Sequence, residues 1–308
     1  MSFEESVGLP ASPLRSATAL LGLLLAVGLG ACQSPDGAGA APGARTVVDL
    51  RATDYAFRGV PDSIPSGWTT FRVDNDGQHV HLLELARLPE GVTAQDWRDG
   101  FETIRALTRR LRAGTIDTTA LVARRPEWAG TAKGAGGLGY LTPERTASLT
   151  TRLEPGTYAL TCYVRTAEGR QHWELGMERA LTVTADSTGA TPPAPDLELR
   201  LSDYEIRADG PLRAGEQTIA VHFGGPTPTE APLQDVHLAR MSGDESLDTL
   251  AAWANAPEVP APADVLGGTI AMARGRTAYL TVDVRPGRYA WVSHASRKKG
   301  MMRTFAVD

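Results

Sequence analysis

Apolar residues in this chain alternate with polar ones over short stretches more often than they recur at helical spacing. Val47, Leu50 and Ala52, then Phe71 and Val73, then Leu149, Leu153, Tyr158, Leu160 and Cys162 follow mostly a period of two, with Gly and Pro turns between. That pattern predicts short, half-buried strands. A helical stretch interrupts them after Gly91, where Trp97, Phe101, Ile104, Leu107 and Leu111 recur every three or four residues and Thr93 pairs with Asp96 as a capping box. A shorter counterpart, Glu245 to Ala254, carries Leu247, Leu250 and Trp253. The expected fold is mainly β, with a helix packed over an edge or end of each domain.

The pattern occurs twice. Asp54-Tyr55-Ala56-Phe57-Arg58 matches Asp203-Tyr204-Glu205-Ile206-Arg207, and His81-Leu82-Leu83-Glu84-Leu85 matches His237-Leu238-Ala239-Arg240-Met241. The stretch from Gly136 to Leu160 then aligns without a gap with Gly267 to Trp291, so that both Gly-Gly and both Pro-Gly pairs coincide. Gly176-Met177 and the strand after it match Gly300-Met301 and its strand. Four matches in one order indicate a tandem duplication. The expected division is domain one over 46–185, a Pro/Ala/Ser/Thr linker over 186–196 and domain two over 197–308.

The first 31 residues stand apart. Ala17 to Ala31 is an apolar run preceded by Arg15 and ended by small residues before Cys32, which reads as a secretory signal; an uncleaved membrane helix is the alternative, disfavoured by the short core. Leu29-Gly30-Ala31-Cys32 resembles the bacterial lipobox, which implies cleavage before Cys32, lipidation of its thiol and attachment to a membrane of the cell envelope. Gln33 after the cysteine resembles the sorting pattern for an outer membrane, facing the periplasm, in a Gram-negative host. Residues 32–45 then form a flexible tether. Cleavage removes two acidic groups and one basic, leaving the formal charge of −5 one unit less negative, so nucleic acid is not an expected partner. Of two cysteines, one is assigned to lipid, and Cys162 is left as a lone thiol in an oxidising compartment. Such a thiol is buried, reactive or metal-bound.

The candidate chemistry lies in copy one. Asn75-Asp76-Gly77-Gln78-His79-Val80-His81 is followed far downstream by Cys162, His172 and Met177. Here the sequence resembles the cupredoxins, whose N-x-G-x-x-x-H segment carries the first histidine ligand and whose last loop supplies Cys, His and Met in that order. The resemblance implies two Greek-key β-sandwiches and one type 1 copper held by His81, Cys162, His172 and Met177, with Asn75 bracing the ligand loop. A trigonal His2Cys set with a weak axial Met suits copper in both oxidation states, since thiolate and thioether are soft ligands and imidazole tolerates either state. His79 lies two residues from His81 and either ring could face the site; the spacing from Asn75 favours His81. Trp173, beside His172, is a candidate shield. The arginine-rich helix from Arg98 to Arg112 is either a docking face for an acidic partner or an ordinary solvated face.

The departures narrow the function. Nine residues separate Cys162 from His172, a long loop similar to that of the two-domain copper nitrite reductases, but Cys162 is flanked by Thr161 and Tyr163, with no adjacent histidine to bridge to a second copper. The expectation is therefore not an enzyme but an envelope-anchored copper protein that transfers electrons to a redox partner or holds copper. In copy two Ser293 replaces the cysteine, and Ser296 or Arg297 stands near the place of His172. His237, Met241, Met301 and Met302 are core residues or a soft Cu(I) site. The rival expectation is a metal-free binding or scaffolding lipoprotein, with Cys162 as a buried structural residue.

Overall fold

The computed structural model describes residues 43–202, 205–224, 234–243, 246–255, 260–293 and 301–308. The leader, Cys32, most of the tether, Asp203-Tyr204 and Ser296-Arg297 lie outside the described residues. Copy one contains β1 (Thr46–Thr53), β2 (Ala56–Arg58), β3 (Ser63–Asn75), β4 (His81–Arg87), α1 (Ala94–Arg112), α2 (Thr118–Arg124), β5 (Lys133–Leu141), β6 (Thr146–Leu153), β7 (Gly156–Thr161) and β8 (Glu178–Ser187). Copy two contains β9 (Leu197–Ser202), β10 (Glu205–Ala208), β11 (Gly215–Phe223), β12 (Val236–Met241), α3 (Leu247–Asn255), β13 (Asp264–Thr269), β14 (Thr277–Val284), β15 (Gly287–Val292) and β16 (Met302–Val307). The fold is mainly β, built as sandwiches of two packed sheets. Strand β8 runs two residues into the stretch read as a linker.

Period two governs the strands, although one position is out of phase. In β1, Val48, Leu50 and Ala52 face the core, while Val47 is 57% exposed, because counting back by twos from Leu50 falls on 48. Strand β3 serves both sheets. Its start, Ser63 to Ser66, pairs with β8, and from Gly67 onward it pairs with β6; Gly67 has φ +117, which allows the bend between the two.

The two sandwiches do not sit as separate bodies on a linker. Their sheets are continuous: β6 pairs with β14 in one sheet and β5 with β13 in the other, and the described residues form one compact unit. Leu149 and Leu280, which align in the repeat, stand opposite each other across β6 and β14. Leu138 and Thr269, which also align, stand opposite each other across β5 and β13. A pair made of equivalent residues lies on a twofold axis, so the copies are joined by an approximate internal dyad of the kind that closes a homodimer. Side chains reinforce the seam. Arg145 forks onto Asp264 at 2.9 and 2.6 Å, and the Thr142 hydroxyl donates to the same carboxylate at 2.7 Å.

The repeated glycines have a steric cause. Gly137 has φ +140, and a Cβ on it would lie 1.8 Å from the Leu83 carbonyl oxygen; Gly268 has φ +158, and its Cβ would lie 2.2 Å from that of Val236. In each copy the glycine lets this strand press against the backbone of its neighbour. The Pro-Gly turns are also duplicated in three dimensions. The Tyr158 hydroxyl reaches the Glu154 backbone and the Tyr289 hydroxyl the Arg285 backbone, while Arg87 and Arg240 donate to the carbonyls of Pro155 and Pro286. Repeated motifs thus mark repeated constraints.

Helix α1 begins with the expected capping box, Thr93 with Asp96. It lies on the outer face of a sheet rather than over an edge or end. Ala86, Ala159 and Ala180 stand side by side on β4, β7 and β8 and form a low platform, on which Trp97 and Phe101 pack in a small core of their own. In copy two the described helix, α3, is 9 residues long against 19 for α1.

Gly137→Ala or Gly268→Ala must displace a neighbouring strand in a conformation unfavourable to a side chain. Each is expected to lower stability by about 1–3 kcal/mol, read as a reduced urea midpoint; an unchanged midpoint would contradict the steric account.

Candidate metal centre

Four side chains singled out by type and order come from two places in the sandwich. His81 opens β4, and the other three occupy the connection from β7 to β8: Cys162 directly after β7, His172 in a short 3-10 turn over His172–Leu175, and Met177 directly before β8. The connection folds back on itself. The His172 N–H donates to Val164 O at 2.8 Å, the Trp173 N–H to Cys162 O at 2.9 Å, the Met177 N–H to His172 O at 3.1 Å and the Cys162 N–H to Met177 O at 3.2 Å. All four side chains are buried.

Three of them present ligand atoms to one another. The Nδ1 atoms of His81 and His172 are 3.1 Å apart, and Cys162 Sγ lies 3.5 Å from His172 Nδ1 and 4.0 Å from His81 Nδ1. This is a compact group of three metal-capable residues among the described ones. Its composition and chain order match the cupredoxin ligand pattern. Met177, also buried, is tied to Cys162 and His172 through its backbone.

The surroundings orient these donors. His81 Nε2 lies 2.9 Å from Asp54 Oδ1, so the ring donates there and its Nδ1 lone pair is left facing the thiol. Burial would raise the Asp54 carboxyl, but the Gln78 N–H, the His81 ring and the nearby His79 together hold it below its ordinary value. Burial lowers His81 to about 4 and, with His81 and His79 close by, lowers His172 to about 3, so both imidazoles are neutral near pH 7. Burial pushes the Cys162 thiol up to about 12, despite N–H groups of Leu82 and Val164 directed at its sulfur. The N–H groups and neutral imidazoles are suited to a thiolate whose proton has been displaced by a cation.

This donor set fits one copper ion. It supplies two imidazole Nδ1 atoms and one soft sulfur, all from buried side chains. The rings of Tyr55 and His79 lie over His172, with centroids 4.7 and 6.0 Å away. His79 itself lies in the bend before β4, not on the strand, and is partly exposed with its ring stacked on Tyr55.

Asn75 is buried at the end of β3. Its amide donates to the carbonyls of His79 and Leu141, both at 2.8 Å, and its side-chain oxygen accepts from the Gly77 N–H at 3.0 Å. It therefore ties the turn before His81 to β5. Gly77 is required by close approach, since a Cβ there would lie 2.5 Å from Asp54 Oδ1 and 2.7 Å from His81 Nε2. Sequence reasoning passed over Asp54 and Tyr55, although Asp-Tyr opens the first stretch of the repeat and was the available signal.

Copy two places other chemistry in the equivalent pocket. Asp235, aligned with His79, is buried, and it accepts from the Ser293 hydroxyl at 2.7 Å while lying 3.2 Å from His237 Nε2. His237 Nδ1 accepts from the Tyr140 N–H at 3.2 Å, and the Tyr140 ring stacks on it at 4.3 Å. Ser293 keeps the backbone bond to Met301 that Cys162 makes to Met177. A hydrogen-bonded network thus occupies the place where copy one gathers soft donors.

No family model matches the chain, and no curated protein matches it. Among solved structures, it is similar to reduced auracyanin from Roseiflexus castenholzii, with 20% identity over 46% of this chain and 99% of that one at a TM-score of 0.28. It is similar to auracyanin A, a blue copper protein of Chloroflexus aurantiacus, with 18% identity over 46% and 100% and a TM-score of 0.28. A blue copper oxidase from Nitrosomonas europaea matches with 14% identity over 86% of each chain at a TM-score of 0.25. Likenesses this distant leave the chain's own donors as the ground for any functional conclusion.

Asn75→Ala leaves one buried carbonyl, one part-buried carbonyl and one N–H without their partner. It is expected to cost about 1–3 kcal/mol, seen as a lower denaturant midpoint at unchanged slope; full retention of stability would show that these bonds are replaced by others.

Proposed function

We propose that this chain is an envelope-anchored, single-copper electron-transfer or copper-holding protein, with His81, Cys162 and His172 as the strong ligands and Met177 as the weak axial one. The observation that carries the reading is the convergence of two Nδ1 atoms and one Sγ, all buried, within 4.0 Å of one another. Copper bound there would supply one-electron exchange between its two common oxidation states.

The chain's own residues perform the remaining tasks. Asp54 holds the His81 ring in the tautomer that offers Nδ1, and burial keeps both imidazoles neutral and able to donate. The amides directed at Cys162 Sγ stabilise the thiolate once its proton has left. The adjoining strands β4 and β7 of one sheet hold His81 and Cys162 in place, so that little rearrangement accompanies a change of charge. An electron carrier is preferred to an oxidase because Thr161 and Tyr163 flank Cys162 where a bridging histidine would be needed. Anchoring through Cys32, a periplasm-facing outer-membrane position in a Gram-negative host and a redox protein partner belong to the same proposal. The anchoring and the membrane position rest on the leader and on Gln33.

The full chain mixed with Cu(II) is expected to bind one equivalent and develop an intense visible absorption, with Cys162→Ala colourless. A colourless wild type with no stoichiometric copper by elemental analysis would end the reading.

A further inference from the structure

The sandwich fixes the two ends of the connection from β7 to β8, but it does not by itself fix the nine residues between Cys162 and His172. Ordering a connection of that length costs conformational entropy, and misplacing His172 by an ångström would open the donor set. Residues of α1 hold this connection from outside.

Arg112, the last residue of α1, forks onto Glu174. Its Nε donates to Oε2 at 3.0 Å and its Nη2 to Oε1 at 2.7 Å, while Nη2 also donates to the Gly169 carbonyl at 2.9 Å. The Glu174 side chain is only 6% exposed, and its Oε1 accepts the N–H of Gln171 at 2.9 Å, one residue before His172. About two and three turns earlier in the helix, further contacts follow the same course. Arg105 donates to Glu178, next to Met177, at 2.6 Å, and Phe101 meets the Trp173 ring at 5.3 Å. Trp173 in turn donates to the Gln171 side chain at 2.6 Å. The residues flanking His172 and Met177 are thus held by a helix that sits on the Ala86–Ala159–Ala180 platform.

Copy two supplies the contrast: Ser293 stands in the place of the cysteine, and its described helix is 9 residues against 19. A long helix and a complete ligand set occur together.

We infer that α1 is a brace that presets the ligand connection for metal, with Arg112 as the positioning residue acting on His172 through Glu174. This rests on the copper reading and deepens it. An isolated exposed ion pair would contribute little. This pair is bidentate, mostly buried at its carboxylate and linked to the backbone beside a ligand, so its loss acts on the ligand's placement rather than on the fold as a whole.

The test uses the full chain and three readouts: Cu(I) affinity by competition with a chromophoric chelator, the visible and electron paramagnetic resonance spectra after Cu(II) loading, and amide hydrogen exchange of the metal-free protein. Arg112→Gln and Glu174→Gln are each expected to weaken Cu(I) affinity about tenfold, to change the spectra and to speed exchange at Gln171 and Met177. The double variant should be no worse than either single one, because the two residues act as a unit. Arg112→Lys should restore part of the effect, keeping the charge but not the fork. Arg109→Gln, an exposed neighbour, should behave as wild type. Affinity and spectra of Arg112→Gln within twofold of wild type would overturn the inference. If wild type binds no copper, the functional reading fails; unchanged exchange at Gln171 and Met177 in Arg112→Gln then also removes the brace, whereas faster exchange confined to that connection preserves it.

Discussion

The sheets of this protein have edges that must be covered, and each copy covers the other's. An open edge strand exposes a row of unpaired N–H and C=O groups that attract other chains. Here β6 meets β14 and β5 meets β13, equivalent strand against equivalent strand, so one internal dyad joins both pairs of sheets at once. The pairing explains why a copy without a full ligand set keeps its strands. Its loss would expose two edges in copy one, and β5 is the strand to which Asn75 ties the turn before His81.

That seam and the donor set are connected by short paths. Thr142 and Arg145, just beyond β5, bond to Asp264 of copy two. Tyr140, on β5, stacks on His237 in the pocket that corresponds to the donor set of copy one. The second copy therefore acts as a buttress, and its pocket is filled by Asp235, Ser293 and His237 in mutual contact. Replacing a sulfur donor by a hydroxyl and admitting a carboxylate turns a soft site into a hydrogen-bonded one.

The donor set itself is a case of burial made useful. An imidazole deep in the sandwich resists protonation, so His81 and His172 keep their lone pairs at neutral pH, while the same burial holds the thiol proton on Cys162. A cation that displaces that proton meets two neutral nitrogens already in place. Support comes from three directions: Asp54 from the start of the fold, Asn75 from the end of β3 and α1 from outside the sheet.

Much of this was legible in the order of residues. Strand periodicity, the α1 capping box, the duplication and the grouping of His81 with Cys162 and His172 are all local or ordered signals, and sequence carries such signals directly. Val47 misled because apolarity alone does not report phase, and Asp54 was overlooked because its partner lies 27 positions away. The placement of α1 on three alanines required knowing which strands are neighbours. The union of the two sheets was equally hidden, since edge pairing is made by backbone groups that every residue carries. The sequence by itself determined which donors exist, in what order and in which copy; only the tertiary structure decided that they meet, because meeting depends on strand neighbours and on a loop held by a helix far from it along the chain.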